Sequence, residues 1–367
     1  MKDGEMKVLH VITGLGVGGA EQMLLKTLPL LGGEHVVCSL MTVDGVGKEL
    51  ERKGIRVHYL GLRRFNLLAV IVRFRRVIRK ERPDIINSYL LHTNIFARLF
   101  GRLFGVKRII CSVRNIHRDR QFWNWLDRVT QGLVDVYTPN SEAVKEFLVK
   151  ELQLPERKMT VIQNCVDTER VREALRLTDR RMKRKEVSIP VGDFIITYVA
   201  SFKRQKDHRT LLKALPLIQP ERKFTVLLIG DGELRKEMEI LADDLPVGKG
   251  TIRFLGERKD VFELLAVTDC FAFPTLHEGM PNALLEAAAA GLPVVCTDIP
   301  ENREVVGEHA LFFPAKDAET LARLLEEAMR GGAHIESMRR EVQRRVERLY
   351  GVGAATKKLR ALYQKLI

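Results

Sequence analysis

The chain has 367 residues, 46% of them apolar and 29% charged, an ordinary globular composition but longer than one hydrophobic core usually serves. Its formal net charge of +14 implies an anionic partner. No run reaches the ~20 apolar residues of a membrane span, Met1–Val8 is too polar for a signal peptide, and no helix-turn-helix, RNP, KH or zinc-finger pattern points to nucleic acid. Five cysteines (Cys38, Cys111, Cys165, Cys270, Cys296) stand singly with no metal spacing, so buried thiols, no metal and no cofactor are expected in a cytoplasmic protein. Acidic lipid headgroups and phosphorylated substrates fit the charge better than nucleic acid.

In chain order, Lys7–Thr13 reads as a buried strand and Ala20–Leu31 as a helix. Between them Gly14-Leu-Gly16-Val-Gly18-Gly19 satisfies the G-x-G-x-x-G dinucleotide pattern in strand–turn–helix context. That pattern also wants an acid ~20 residues on, at the end of the second strand, to hold a ribose. The second strand, His35–Met41, offers none there, and Asp44 comes too late. An NAD(P)-dependent oxidoreductase is thus one reading of the loop, with its ribose acid missing.

Strands are expected at Ile55–Leu60, Asp84–Ser88, Arg108–Val113, Val134–Tyr137 and Thr160–Ile162, and helices at Leu67–Lys80, His92–Phe104, Gln121–Gly132 and Ser141–Leu152. Such alternation predicts an α/β protein with a parallel, doubly wound sheet. Arg63 and Arg64 lead into the Leu67–Lys80 helix, whose stripe of Leu67, Val70, Ile71, Phe74, Val77 and Ile78 faces a core. Arg73, Arg75, Arg76, Arg79 and Lys80 take the other side, with Leu68 and Val72 among them. That side is either a solvated basic face or one that touches anionic lipid. The spacing of Phe122, Trp125, Leu126 and Val129 predicts a core-facing stripe, with an acceptor-facing aromatic rim as the lesser reading. Thr168–Val187 is dense in charge without a sustained apolar stripe, and reads as a connector with a short helix.

A second alternation follows. Strand Phe194–Ala200 leads to the loop Ser201–His208 and a helix to Leu217; strand Phe224–Ile229 runs into Gly230-Asp-Gly232; strand Ile252–Leu255 precedes Arg258 and helix Val261–Ala266. Strand Cys270–Pro274 then delivers Glu278, Gly279 and Met280 in a loop before helix Asn282–Ala290, which opens on Pro281-Asn282 and stops at Gly291. The N–H groups of Asn282–Leu285 lack intrahelical partners and form an anion site aided by the helix dipole. Glu286 lies one turn in, close to any anion held there.

The run from Glu278 to Glu286, E-G-M-P-N-A-L-L-E, resembles the signature of family-four retaining glycosyltransferases. That family has two Rossmann-like doubly wound domains facing a central cleft, the GT-B fold. The resemblance implies that Glu278 and the amides of Gly279 and Met280 hold a donor sugar. It implies that Pro281, Asn282, Leu284 and Leu285 present the helix start to the diphosphate, and that Glu286 takes the ribose hydroxyls. Gly16–Glu21 is similar to the family's G-x-G-G-A-E loop, where Gly18 and Gly19 let backbone approach donor phosphate and acceptor. Gly230 and Gly232 match glycines that follow the second domain's second strand, and Arg258 stands where relatives seat the nucleotide base. Val161–Asp167 resembles V-I-x-N-G-V-D, with Cys165 in place of glycine, which would strain a left-handed backbone.

The chain departs from the family pattern twice more. Relatives carry V-H-[DN] after the strand ending at Val113; here Arg114 takes the histidine position and His117 is the nearby histidine, and either could serve. The family's G-R-x-x-x-x-K is met at Lys206, but Ala200 and Ser201 replace Gly and Arg, so Arg204, or less readily Lys203, is expected to supply the missing charge. The resemblance further implies an acceptor-side domain over 1–170 joined by helix 352–367, a connector over 171–187 and a nucleotide-sugar domain over 188–351. It implies transfer of a hexosyl or N-acetylhexosaminyl unit from a UDP- or GDP-sugar to a hydroxyl of a glycan or lipid-linked glycan, in cell-surface polysaccharide synthesis. Configuration would be retained, with Lys206, Arg204 and the helix start easing departure of the diphosphate. Arg63–Lys80 would hold the protein on the inner face of the cell membrane. A non-catalytic subunit of a glycan-synthesis complex is the other alternative, against which the intact Glu278 and Glu286 argue.

Overall fold

Runs of Val, Ile and Leu bounded by glycine or polar turns form central strands buried on both faces, as covered parallel sheets require. The computed structural model describes residues 6–16, 18–42, 45–115, 121–219, 222–248 and 250–367. It divides into two units, Met1–Cys165 with Val352–Ile367, and Val166–Gly351.

The first unit runs β1 (Lys7–Ile12), α1 (Gly19–Thr27), β2 (Glu34–Ser39), α2 (Gly47–Arg52), β3 (Arg56–Tyr59), α3 (Leu67–Glu81), β4 (Ile85–Tyr89), α4 (Leu91–Leu103), β5 (Arg108–Val113), α5 (Gln121–Val129), β6 (Val136–Pro139) and α6 (Glu142–Lys150). Its strands pair in parallel in the order β3-β2-β1-β4-β5-β6. Period-two alternation splits β1 between two cores: Leu9 and Val11 pack with α3, α4 and α6, whereas Val8 and Ile12 pack with α1 and the last helix of the chain. Each such fully buried aliphatic side chain contributes about 1.5–3 kcal/mol.

The second unit runs α7 (Thr168–Leu177), α8 (Arg180–Glu186), β7 (Phe194–Val199), α9 (His208–Ala214), β8 (Phe224–Ile229), α10 (Arg235–Asp243), β9 (Gly250–Gly256), α11 (Val261–Val267), β10 (Cys270–Phe273), α12 (Asn282–Ala289), β11 (Val294–Thr297), α13 (Pro300–Val306), β12 (Leu311–Phe313), α14 (Ala318–Arg330) and α15 (Ala333–Tyr350). The parallel order β12-β11-β10-β7-β8-β9 repeats the winding of the first sheet. The final helix, α16 (Val352–Leu366), belongs to the first unit. There the Tyr363 hydroxyl accepts from Asn87 Nδ2 at 2.8 Å, and Arg108 Nε donates to the Leu366 carbonyl at 2.8 Å.

Several elements differ from expectation. Residues 160–162 form no regular strand, although the Thr160 and Ile162 amides donate to the carbonyls of Tyr137 and Pro139 on β6. The segment read as a connector holds α7 and α8, each N-capped by an aspartate (Asp167, Asp179), and both pack on α11 inside the second unit. Cys165 has no left-handed backbone; its amide and thiol instead meet the Met23 sulfur at 3.2 and 3.4 Å. In both sheets the winding reverses between adjacent strands, β1/β4 and β7/β10, and open α/β sheets bind ligands beyond the C-terminal ends of such strands.

Candidate active site

In the second unit, the loops that leave β7 and β10 lock together. Gln205 Nε2 donates to the His277 carbonyl at 2.6 Å, the Leu276 amide donates to the Gln205 carbonyl at 2.8 Å, and the buried Tyr198 hydroxyl donates to the Lys206 carbonyl at 2.5 Å. Burial and the nearby charges of Glu278 and Asp207 push the Tyr198 phenol well up, so it remains a donor. This scaffold presents Lys206 to Glu278. Lys206 Nζ donates to Glu278 Oε1 at 2.5 Å, and Thr275 Oγ1 donates to the same oxygen at 2.8 Å. Glu278 is only 6% exposed, so its charge depends on these partners. Tyr198, Gln205 and Thr275 carried no motif signal, because a hydroxyl or amide that orients a neighbour has no characteristic spacing.

Beside this pair, Pro281 caps α12 with extended backbone. The Leu285 amide donates to the Pro281 carbonyl at 3.1 Å, so it is not among the outward-facing donors expected. The amides of Ala283 and Leu284 belong to the first turn, where no carbonyl of the helix can accept them. Leu284 and Leu285 bury their side chains completely and Met280 is buried too, so only backbone can serve a ligand at Leu284. Glu286 is half-buried one turn into α12.

The glycines after β8 act on the scaffold. A Cβ on Gly230 would stand 2.1 Å from the Ala200 carbonyl oxygen, and one on Gly232 would stand 2.7 Å from the Phe202 carbonyl oxygen. Their amides are engaged, by the Gly256 carbonyl and the Asp231 carboxylate. The pair thus lets the β8 loop lie against Ala200-Ser201-Phe202. Arg258 is committed as well: it grips both oxygens of Asp260 at 2.8 and 2.6 Å and reaches Glu186 at 2.6 Å, which holds the Asp260 carboxyl well below its usual range. Arg204 has an exposed side chain that lines a recess with Lys203, Arg209 and Lys316, a set that includes neither Lys206 nor Glu278.

In the first unit, Gly18 caps α1 and Gly19 begins it; the missing Gly18 Cβ leaves room for the Glu21 carboxylate, whose pKa burial raises. Arg114, one residue beyond β5, is buried. Its guanidinium donates to Asn164 Oδ1 at 2.7 Å and lies 5.6 Å from the Tyr89 ring centroid, and burial lowers its pKa. His117 lies outside the described residues.

Two helices of this unit carry surface features. On α3, Val70, Phe74, Val77 and Ile78 are buried as expected, while Leu67 and Val72 are exposed and Leu68 is 80% exposed. The aromatic stripe on α5 faces the opposite way from expectation: Phe122, Trp125 and Val129 are 63%, 57% and 55% exposed. The reason is Asp127, which α5 turns inward to pair with the fully buried Arg98 of α4 at 2.5 Å. A buried arginine needs that carboxylate more than the sheet needs three more apolar side chains. Among the described residues, no cluster of metal-ligating side chains occurs and no helix is long and apolar enough to cross a membrane.

The family model described as Glycosyltransferase Family 4 matches residues 17–170, and that described as Glycosyl transferases group 1 matches 193–330. An Escherichia coli protein named UDP-Gal:alpha-D-GlcNAc-diphosphoundecaprenol alpha-1,3-galactosyltransferase is 25% identical over 324 residues, 82% of each chain. A Campylobacter jejuni N-acetylgalactosaminyltransferase, named for an acceptor on diphospho-undecaprenol, is 26% identical over 81% of this chain and 82% of its own. In fold, the chain is similar to HepE from Anabaena, solved in complex with UDP-glucose, with a TM-score of 0.84 at 17% identity over 98% of this chain and all of that one. With both halves matched, the chain is a glycosyltransferase with two Rossmann-like domains and not an oxidoreductase, and it belongs to glycosyltransferase family 4.

Proposed function

We propose that this glycosyltransferase takes a hexosyl or N-acetylhexosaminyl unit from a UDP- or GDP-sugar and adds it, with retention, to a hydroxyl of a lipid-linked glycan in cell-surface polysaccharide synthesis. The observation that carries the reading is the meeting of Lys206, Glu278 and the start of α12 at the β7/β10 switch point. Glu278 and the Gly279 and Met280 amides hold the sugar hydroxyls, the first turn of α12 faces the diphosphate, and Glu286 accepts from the ribose. In the reaction the bond from the anomeric carbon to the diphosphate oxygen breaks, with the electron pair leaving on the diphosphate. The acceptor oxygen bonds to the same face and its proton passes to the departing phosphate. Lys206 and the helix dipole stabilise that developing charge. The names of the E. coli and C. jejuni relatives support an acceptor on a polyprenyl diphosphate. In the first unit we assign Gly18 and Gly19 to the close approach of donor phosphate and acceptor, and Arg114 or His117 to the donor sugar and the departing phosphate.

We also infer a peripheral membrane location. Helices α3, α4 and α5 adjoin in that order and expose Leu68, Val72, Leu103, Phe122 and Trp125, and α3 also exposes Arg75, Arg76 and Arg79. Aromatic and aliphatic side chains among arginines suit the headgroup region of an anionic bilayer. The donor reading is tested by a thermal-shift screen of UDP- and GDP-sugars, since a ligand at a hundred times its Kd stabilises by about 2.7 kcal/mol. A rise in Tm with one nucleotide sugar supports it, and no rise with any of them removes it.

A further inference from the structure

We propose that the second unit carries an oxyanion site of the phosphate class, separate from the Lys206–Glu278 pair, in the recess between the β7 loop, α10 and the turn before α14. The recess has a volume of about 500 Å³ and is lined by Lys203, Arg204, His208, Arg209, Glu237 and Lys316, with Asp207 and apolar Leu234, Met238 and Leu276. Its charges do not balance. Arg209 pairs with Glu237, which leaves Asp207 to face three cations. Among the described residues Lys203, Arg204 and Lys316 form no ion pair. Asp207 is itself engaged, accepting from Thr210 Oγ1 at 2.6 Å. Three cations against one carboxylate leave the recess net positive, and that arrangement suits a multiply charged anionic ligand.

A second observation at the same wall is independent of the charge count. His208 is 3% exposed, stacked on Phe202 with ring centroids 4.0 Å apart, and its Nε2 has no hydrogen-bond partner. Burial and the Lys206 charge lower its pKa to about 3, so the ring is neutral, and its Nε2 is an unspent polar atom on a residue that lines the recess. The backbone adds a third. Lys316 and Asp207 both adopt left-handed conformations, with φ of 67° and 46°, although neither is glycine. Residues held in that region cost energy and cluster where a site uses the geometry. Planar arginine forks and lysine ammonium groups together are the usual recognition set for phosphate oxygens. The volume exceeds one phosphate, so a diphosphate or a phosphate on a larger group fits. This site stands apart from the donor assignment, and it gives Arg204 a role other than replacing an arginine at Ser201.

The test is a calorimetric titration of inorganic pyrophosphate, and separately of a short prenyl diphosphate, into the wild-type chain, Lys316→Glu, Lys203→Glu and Lys206→Ala. Lys316 and Lys203 are exposed, so their variants are expected to fold. Each charge reversal should weaken pyrophosphate binding about tenfold or more, roughly the loss of one charge-assisted contact, while the nucleotide-sugar thermal shift is unchanged. Lys206→Ala should leave this binding in place. Tighter binding of the prenyl diphosphate would mark a lipid-borne ligand and equal binding a free one, and either supports the site. The proposal is overturned if pyrophosphate does not bind, if binding disappears with Lys206→Ala alone, if both reversals bind as the wild type does, or if sulfate binds equally well as an adventitious ion only.

Discussion

The ammonium of Lys206 and the carboxylate of Glu278 stand 2.5 Å apart across the switch point of the second sheet, joined from loops that leave β7 and β10. Each fixes the other: the lysine is pinned by backbone bonds through Gln205 and Tyr198, and Thr275 steadies the carboxylate from behind. Lys206→Ala should lower turnover by ~10²–10³-fold, the range for losing one transition-state donor. Glu278→Gln keeps the Thr275 bond but removes the charge, and should reduce both donor affinity and turnover. Steady-state kinetics with the screened donor checks both, and wild-type turnover in Lys206→Ala would remove the lysine from the chemistry.

Gly230 is a second point of rigidity. A methyl group there meets the Ala200 carbonyl oxygen at 2.1 Å, a backbone atom that cannot rotate away, at a φ of 138°. Gly230→Ala should therefore cost about 3 kcal/mol or more, combining overpacking with backbone strain. Urea denaturation of the variant reads this directly; a loss under about 0.5 kcal/mol would mean that the two loops separate easily.

Acid should destabilise the protein through its buried histidines. His208 has a folded-state pKa of about 3 against 6.5 for the free side chain, and His10 and His35, hydrogen-bonded at 3.0 Å, are lowered in the same direction by burial. The unfolded chain therefore takes up protons first. The His208 contribution is complete above about pH 6.5 and declines as pH falls toward 3, with a slope of at most about 1.4 kcal/mol per pH unit for one proton. His208→Phe, which keeps the stack on Phe202, should flatten the stability profile between pH 6.5 and 4. An unchanged slope would show that His208 titrates normally.

Vesicle binding tests the surface of α3, α4 and α5. Binding to anionic vesicles should fall steeply with salt, because charges are screened beyond ~8 Å at physiological ionic strength. Arg75→Glu with Arg79→Glu should abolish it, and Trp125→Ser should weaken it at constant charge. Equal binding to neutral and anionic vesicles, or binding to neither, contradicts the membrane assignment.

What could be read from residues alone was the pattern carried by local chemistry. Strands β5 and β8 fall at the limits their apolar runs imply, and Pro281-Asn282 with Gly291 bounds α12 closely, because caps and turns act within a few residues. The placement of α5 was not legible, since it depends on Asp127 meeting Arg98 from 29 residues away in sequence. Nor was the direction of Arg204: its loop holds cations at 203, 204 and 206, and only the backbone path from Tyr198 to Leu276 decides which of them meets Glu278.

The measurement closest to the central claim is a calorimetric titration of the best nucleotide sugar into the wild-type chain and Glu286→Gln. If α12 faces the diphosphate and Glu286 grips the ribose, the variant should fold as the wild type does and bind the donor more weakly by about 1.5–3 kcal/mol, roughly 10–150-fold. Donor affinity and turnover that both match the wild type would contradict the assignment of this helix to the nucleotide.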